Sequence, residues 1–218
     1  MLTVFVGYDP REAVAYHAFC QSVIERASVP VSFIPLSAKA LQGFDGRRDG
    51  TNDFIYSRFL IPHLMGYKGT AIFADGDMIC AGDIAELAAM ADPYMAVQVC
   101  KHDYKTKHPK KYLGNDNRDY PRKNWSSVIL WNCAHFAHKK LTPAYIAEND
   151  GAHLHRFGWV PDGRVGSLPL AWNWLVGEYE PNPAAKLFHY TIGIPSFSEY
   201  SKCDHADLWH MTKYRMNK

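Results

Sequence analysis

Two carboxylates separated by one glycine, Asp75-Gly76-Asp77, close the apolar run Thr70-Ala71-Ile72-Phe73-Ala74. An isolated charge at the end of a buried strand is costly, so these groups must be hydrated, paired or bound to a cation. No basic residue lies within the motif. Residues i and i+2 of an extended backbone point to the same side, so Asp75 and Asp77 can converge on one ion, while Gly76 permits close approach. Hard oxygen ligands of this kind suit Mg²⁺ or Mn²⁺, ions that keep open positions for phosphate oxygens. A metal-bound nucleoside diphosphate is the chemistry this pattern points to. The competing reading is a solvated turn, since Asp and Gly are ordinary turn residues. Position favours the metal: ligands of open α/β sheets bind outside the carboxyl ends of strands, where this motif falls.

The surrounding pattern supplies such a sheet. Leu2 to Val6 reads as a strand closed by the turn Gly7-Tyr8-Asp9-Pro10, and Arg11 to Ala27 carries apolar residues at helical spacing. Val31 to Leu36 reads as a second strand, Gln42 to Asn52 as a polar loop, and Phe54 to Met65 as a helix. Thr70 to Ala74 is the third strand, after which Gly82-Asp83 caps a short helix running to Met90. Alternating strands and helices predict a parallel sheet covered on both faces. Further on, Tyr94 to Cys100 and Ser126 to Trp131 read as strands around a polar loop from Lys101 to Asn124. Thr142-Pro143 introduces a helix to Glu148, and the Trp- and Pro-rich remainder predicts a mixed sheet whose loops build a pocket.

With 218 residues, 47% of them hydrophobic, the chain has ample material for a core, and no linker or repeat divides it. A net charge of +2 lacks the field of a dedicated nucleic-acid binder. Five scattered cysteines, odd in number and without Cys-x-x-Cys spacing, read as reduced thiols. Neither a signal peptide nor a membrane span is evident, so a cytoplasmic protein is the expectation.

Together these segments resemble the GT-A glycosyltransferases, most closely the retaining family 8 enzymes related to glycogenin and bacterial lipopolysaccharide galactosyltransferases. The Gly7-Tyr8-Asp9 turn is similar to the family's nucleotide-edge segment, and Tyr56-Ser57-Arg58-Phe59-Leu60 to its Tyr-x-Arg helix. Ile72 to Ile79 matches its Asp-x-Asp motif, and Leu187-Phe188-His189-Tyr190-Thr191 with Gly193 resembles its late His-aromatic-x-Gly motif. The resemblance implies a GT-A α/β fold, Rossmann-like, with a mixed sheet flanked by helices. It implies one domain over residues 1–218, with 1–100 as the nucleotide-binding half and 101–218 as the acceptor and donor-sugar half. It further implies Mn²⁺ or Mg²⁺ held by Asp75, Asp77 and His189, and a donor contacted by Gly7, Tyr8, Asp9, Arg58, Gly76 and Gly193. Asp103, just past a strand expected to run beside the metal strand, is a candidate to accept hydrogen bonds from donor-sugar hydroxyls.

The chain also departs from the family. After the late glycine the family places a diphosphate-binding lysine and a Pro-Trp pair, where this chain has Ile194-Pro195-Ser196-Phe197. Lys202 and the basic loop are the candidates for the missing charge. The family's Asn-x-Gly appears as Trp125-Ser126-Ser127, and its Asp-Gln-Asp has no clean counterpart, Asp162 being the nearest acid.

The expected reaction is transfer of a hexose from a nucleoside diphosphate sugar, a uridine one by resemblance, to a hydroxyl of a glycan or lipopolysaccharide-type acceptor. A metal-dependent nucleotidyltransferase and a non-catalytic module binding sugar nucleotides or glycans are the alternatives. The loop from Lys101 to Tyr112 interleaves cations with aromatics, a pattern compatible with phosphorylated glycans, lipid head groups at a membrane surface, nucleic acid, or plain solvation. Trp172-Asn173-Trp174-Leu175 and Glu178 are candidates for an acceptor pocket, and His205, Asp207 and His210 read as part of a surface helix.

Overall fold

A computed structural model of the chain describes residues 1–37, 52 and 54–216. Apart from Asn52, the loop expected over 42–52 lies outside the described residues. The strands are β1 (Leu2–Gly7), β2 (Val31–Leu36), β3 (Thr70–Ala74), β4 (Met78–Cys80), β5 (Val97–Cys100), β6 (Lys110–Lys111), β7 (Asn115–Asp116), β8 (Val128–Asn132), β9 (Val165–Leu168), β10 (Trp174–Leu175) and β11 (Leu187–His189). The α-helices are α1 (Ala13–Ile24), α2 (Ile61–Leu64), α3 (Ile84–Ala88), α4 (Pro143–Glu148), α5 (Gly151–His155) and α6 (Ala206–Met216). Among the described residues no helix is long and apolar enough to cross a membrane.

The main sheet has the order β2-β1-β3-β8-β5-β9. β1, β2 and β3 run parallel, β8 runs antiparallel to both β3 and β5, and β9 runs parallel to β5. The parallel first half and mixed second half agree with the sequence pattern. Side chains alternate as strand geometry dictates: Phe5, Phe73, Ile129 and Trp131 enter a core with Phe59 and Trp159, while Val4, Val6, Ile72 and Leu130 enter a second core with Phe19 and Val23. Both faces are therefore buried, which is why these strands read as continuous apolar runs.

A smaller sheet, β10-β11-β4, lies beyond the end of β3. It packs through Ile79 and Phe188 into a third core, with Ala15 and Ala18 of α1 and Trp209 of α6. Helix starts follow their sequence signals: the Asp83 carboxylate accepts from the Ala85 N–H, and the Thr142 hydroxyl from the Tyr145 N–H before Pro143.

The structure corrects four expectations. β5 was expected to run beside the metal strand, but β8 lies between β3 and β5, so Asp103 emerges one strand further away. The strand expected from Tyr94 begins only at Val97, because the Gln98 side chain holds Asp92 N–H and the Met90 carbonyl in a turn that leaves Tyr94 72% exposed. The stretch from Phe54 to Met65 is a 3₁₀ turn over Ser57–Leu60 followed by α2, and the Lys101–Asn124 loop contains the β6–β7 hairpin.

His138 gives the core a pH signature. It is fully buried, donates from Nε2 to the Ala96 carbonyl at 3.0 Å and accepts at Nδ1 from the Trp159 indole, so the neutral ring is fully used. Burial lowers its pKa from 6.5 to about 4. The unfolded chain therefore binds the proton first, and the stability contributed by the neutral ring is full above about pH 6.5 and lost as the pH falls toward 4. His138→Gln, which can reproduce both hydrogen bonds, should remove this dependence. The wild-type melting midpoint minus that of the variant is expected to drop between pH 7.5 and pH 4.5, a range chosen to bracket the shift, and a flat difference would contradict a buried neutral ring.

Candidate active site

Strand pairing brings the acidic pair and the late histidine together. Asp75 follows the last residue of β3 and donates its N–H to the Ser127 carbonyl, continuing the β3–β8 ladder. Asp77 precedes β4. The antiparallel register Leu187↔Cys80, Phe188↔Ile79, His189↔Met78 then lays His189 beside it, and the Asp77 carbonyl accepts from the Tyr190 N–H at 2.9 Å. His189 Nε2 lies 3.4 Å from Asp77 Oδ1 and 4.0 Å from Asp75 Oδ2. One donor atom from each residue falls within 4.8 Å of the others, a spacing one cation can bridge.

Second contacts decide which histidine nitrogen faces the carboxylates. Asn173, fully buried, directs its amide NH₂ to the Asn124 carbonyl and the Ser127 hydroxyl, so its Oδ1 must face His189 Nδ1, 3.0 Å away. Nδ1 therefore carries a proton, and Nε2 is the nitrogen directed at Asp75 and Asp77, available as a ligand when the ring is neutral. Two carboxylates and an imidazole nitrogen crowded at one point call for positive charge between them. Asp77 Oδ1 is buried without a hydrogen-bond partner, and so is Asp75 Oδ1. Arg58 Nη1 approaches the latter to 2.8 Å but aims its hydrogen at the Ser126 carbonyl, supplying charge rather than a directed bond. Orphaned oxygens, an imidazole nitrogen held toward them and hard donor chemistry fit a divalent cation.

Asn173→Leu leaves His189 free to flip its tautomer. Mn²⁺ affinity, read by calorimetry, should fall ~10–100-fold, the usual cost of losing an outer partner of a ligating histidine. Equal affinities would exclude this positioning role.

The site opens into a cavity of about 460 Å³. Arg58, 4% exposed, sits over the Phe73 and Phe54 rings while compensating Asp75. Burial pushes the Asp75 carboxyl up to about 6, opposed by Arg58 and reinforced by Asp77. Glu12, on the turn before α1, also lines the cavity, and burial together with the charge of Asp77 pushes it up to about 8. So much crowded negative character is what a bound cation relieves. On another part of the wall the Ser126 hydroxyl meets His155 Nδ1 at 2.6 Å, and burial lowers that histidine to about 3, keeping it neutral.

Of the residues expected from sequence, Gly7, Asp9, Arg58, Asp75, Gly76, Asp77 and His189 line this cavity. Four others lie elsewhere. Tyr8 packs edge-on against Tyr16, and Gly193 lies under the Tyr200 ring. Asp103 is exposed beyond β5, and Asp162 pairs on the surface with Arg122, whose hydrogen bond and charge hold its carboxyl below the usual range. Trp172 is core, Asn173 supports His189, and buried Glu178 accepts from the Lys107 N–H and the Asn117 amide. Glu12 and His155 carry no local motif, and only their placement reveals them.

Comparison with known proteins follows this geometry. Protein CDI of Arabidopsis thaliana is 41% identical over 225 residues, covering 99% of this chain and 87% of that protein. The chain belongs to the family of Protein CDI. No family model matches the sequence. Among solved structures, the bifunctional glycosyltransferase WbbM superposes with a TM-score of 0.67 at 16% identity, over 97% of this chain and 49% of that one. The glycosyltransferase GlyE of Streptococcus pneumoniae TIGR4 gives 0.64 at 12% identity, over 97% and 60%. The galactosyltransferase LgtC, in complex with donor and acceptor sugar analogs, gives 0.64 at 12% identity, over 98% and 96%. The chain thus spans about half of WbbM and three-fifths of GlyE. At these identities the likeness shows the fold, and the fold is the expected GT-A α/β fold.

Proposed function

We propose that this protein is a metal-dependent glycosyltransferase that moves a hexose from a nucleoside diphosphate sugar, a UDP-sugar by resemblance, to a hydroxyl of a glycan acceptor. The convergence of Asp75, Asp77 and a tautomer-fixed His189 at the mouth of a cavity in a GT-A fold carries this reading. It is supported by the structural neighbours, which are glycosyltransferases, LgtC having been captured with donor and acceptor analogs.

Asp75, Asp77 and His189 would hold Mn²⁺ or Mg²⁺, which supplies charge stabilisation to a leaving diphosphate. Asn173 keeps the imidazole lone pair aimed inward, and Arg58 limits repulsion between the carboxylates. Asp9 caps the turn carrying Glu12, shaping the wall beside Gly7. Retention at the anomeric carbon belongs to this proposal through the family 8 resemblance.

The deciding experiment incubates the protein with UDP-, GDP- and CDP-sugars in Mn²⁺ or in chelator and measures free nucleotide and glycosylated product. Mn²⁺-dependent release of one nucleoside diphosphate is expected. Pyrophosphate formed from a nucleoside triphosphate and a sugar phosphate would identify a nucleotidyltransferase instead. Nucleotide binding without release or transfer from any donor would leave a binding module.

A further inference from the structure

Among the described residues the cationic side chains on the cavity wall, histidines aside, are Arg58, Lys111, Arg118 and Arg156. Two are committed: Arg58 to Asp75 and the Ser126 carbonyl, and Arg118 to Asp116 at 2.7 Å. Lys111 and Arg156 have no acidic partner among the described residues. They differ in what they face. Arg156 is exposed past the end of α5, whereas Lys111 is half-buried and lines the cavity together with Asp75, Asp77 and His189.

Lys111 is also held in place. It pairs with Asn115 in the β6–β7 hairpin, and its neighbour Tyr112 is tethered at two points. The Tyr112 N–H donates to the Ile192 carbonyl at 2.7 Å, and its ring stacks on Phe197 at 6.0 Å. Little backbone freedom remains to be lost when Lys111 meets a ligand. It nevertheless makes no ion pair with the carboxylates whose cavity it shares. An ammonium that shares a cavity with a metal-binding cluster without pairing to it leaves room for an anion between the two charges. Lys202, the other candidate, is exposed and does not line the cavity.

We propose that Lys111, delivered by the β6–β7 hairpin, forms the second cationic wall of a diphosphate site, its ammonium taking the terminal phosphate of a nucleoside diphosphate whose remaining oxygens face Asp75, Asp77 and His189. The inference rests on the function proposed above. In this chain the charge absent after Gly193 is supplied from an earlier loop.

The test is calorimetric titration of UDP, and of uridine, into the full chain at fixed Mn²⁺, for wild type, Lys111→Gln, Lys111→Met, Lys111→Arg and the control Lys105→Gln. Lys105 is 91% exposed and off the cavity wall. UDP affinity is expected to fall ~10-fold or more in Lys111→Gln and Lys111→Met, the range for losing a bond to a charged group. It should be largely kept in Lys111→Arg and unchanged in Lys105→Gln, with any uridine affinity unmoved by all four. Melting of the metal-free variants confirms the fold, and the methionine variant retains the apolar stem should glutamine perturb the hairpin. Wild-type UDP affinity in both neutral variants would overturn the assignment of Lys111 and leave the glycosyltransferase reading standing. Failure of wild type to bind UDP or any other nucleoside diphosphate would remove both.

Discussion

Asp77→Asn abolishes the Mn²⁺-induced rise in melting midpoint and metal-dependent nucleotide release, while the metal-free variant melts no lower than wild type. The substitution keeps the size of the side chain and removes its charge, so packing against β4 and β11 is untouched. Asp77 Oδ1 is the orphaned oxygen nearest His189 Nε2, 3.4 Å away. Loss of metal affinity should exceed ~100-fold, more than the loss of an outer partner of a ligand. Stability of the empty protein moves the other way, because the Asp77 charge is among the influences raising both Asp75 and Glu12. Ligand-induced stabilisation follows occupancy, so the midpoint with and without Mn²⁺ separates binding from folding. A normal metal-induced shift in Asp77→Asn would remove the centre on which the proposed activity depends.

Gly76→Ala attacks the same centre through the backbone. A Cβ built on Gly76 would lie 2.3 Å from the carbonyl oxygen of Gly7, where β1 ends alongside the acidic turn. The obstacle is main chain in the middle of a six-stranded sheet, so it cannot turn aside as a flexible side chain would. One of the two strands must shift, disturbing the β1–β3 pairing Val6↔Ala74 and the positions of Asp75 and Asp77 together. We expect a cost of roughly 2–4 kcal/mol, in the range for overpacking and backbone strain. For a chain of this length that lowers the melting midpoint by about 5–15 °C, with Mn²⁺ affinity lost alongside. Gly163→Ala is the matched control, since nothing lies within 4 Å of its Cβ and its φ is ordinary. A Gly76→Ala protein as stable as that control would mean that the two strands do not meet as described.

Much of this architecture is legible in the sequence because its causes are local. Continuous apolar strand runs, helices entered through Asp83 and Thr142-Pro143, and turns at Gly7-Tyr8-Asp9 follow from neighbours a few residues apart. The misplacement of Asp103 has the opposite cause. Apolar runs say that β5 and β8 exist but not which of them lies beside β3, since that choice depends on how the whole sheet is covered.

The acidic pair belongs to the first kind: two aspartates and a glycine in a row set their own geometry, and the close approach of Gly76 to β1 bears out the need for glycine. Sequence alone determined the α/β class, the order of its elements and the place along the chain where a cation could be held. Tertiary structure alone decided what surrounds that place. The register of β11 on β4 carries His189 across more than a hundred residues to Asp77, Asn173 fixes which nitrogen it offers, and Arg58, Glu12 and Lys111 arrive from three separate segments. Convergence of this kind is a property of long-range pairing, whose choice among registers is settled by burial of both sheet faces and not by any local run of residues.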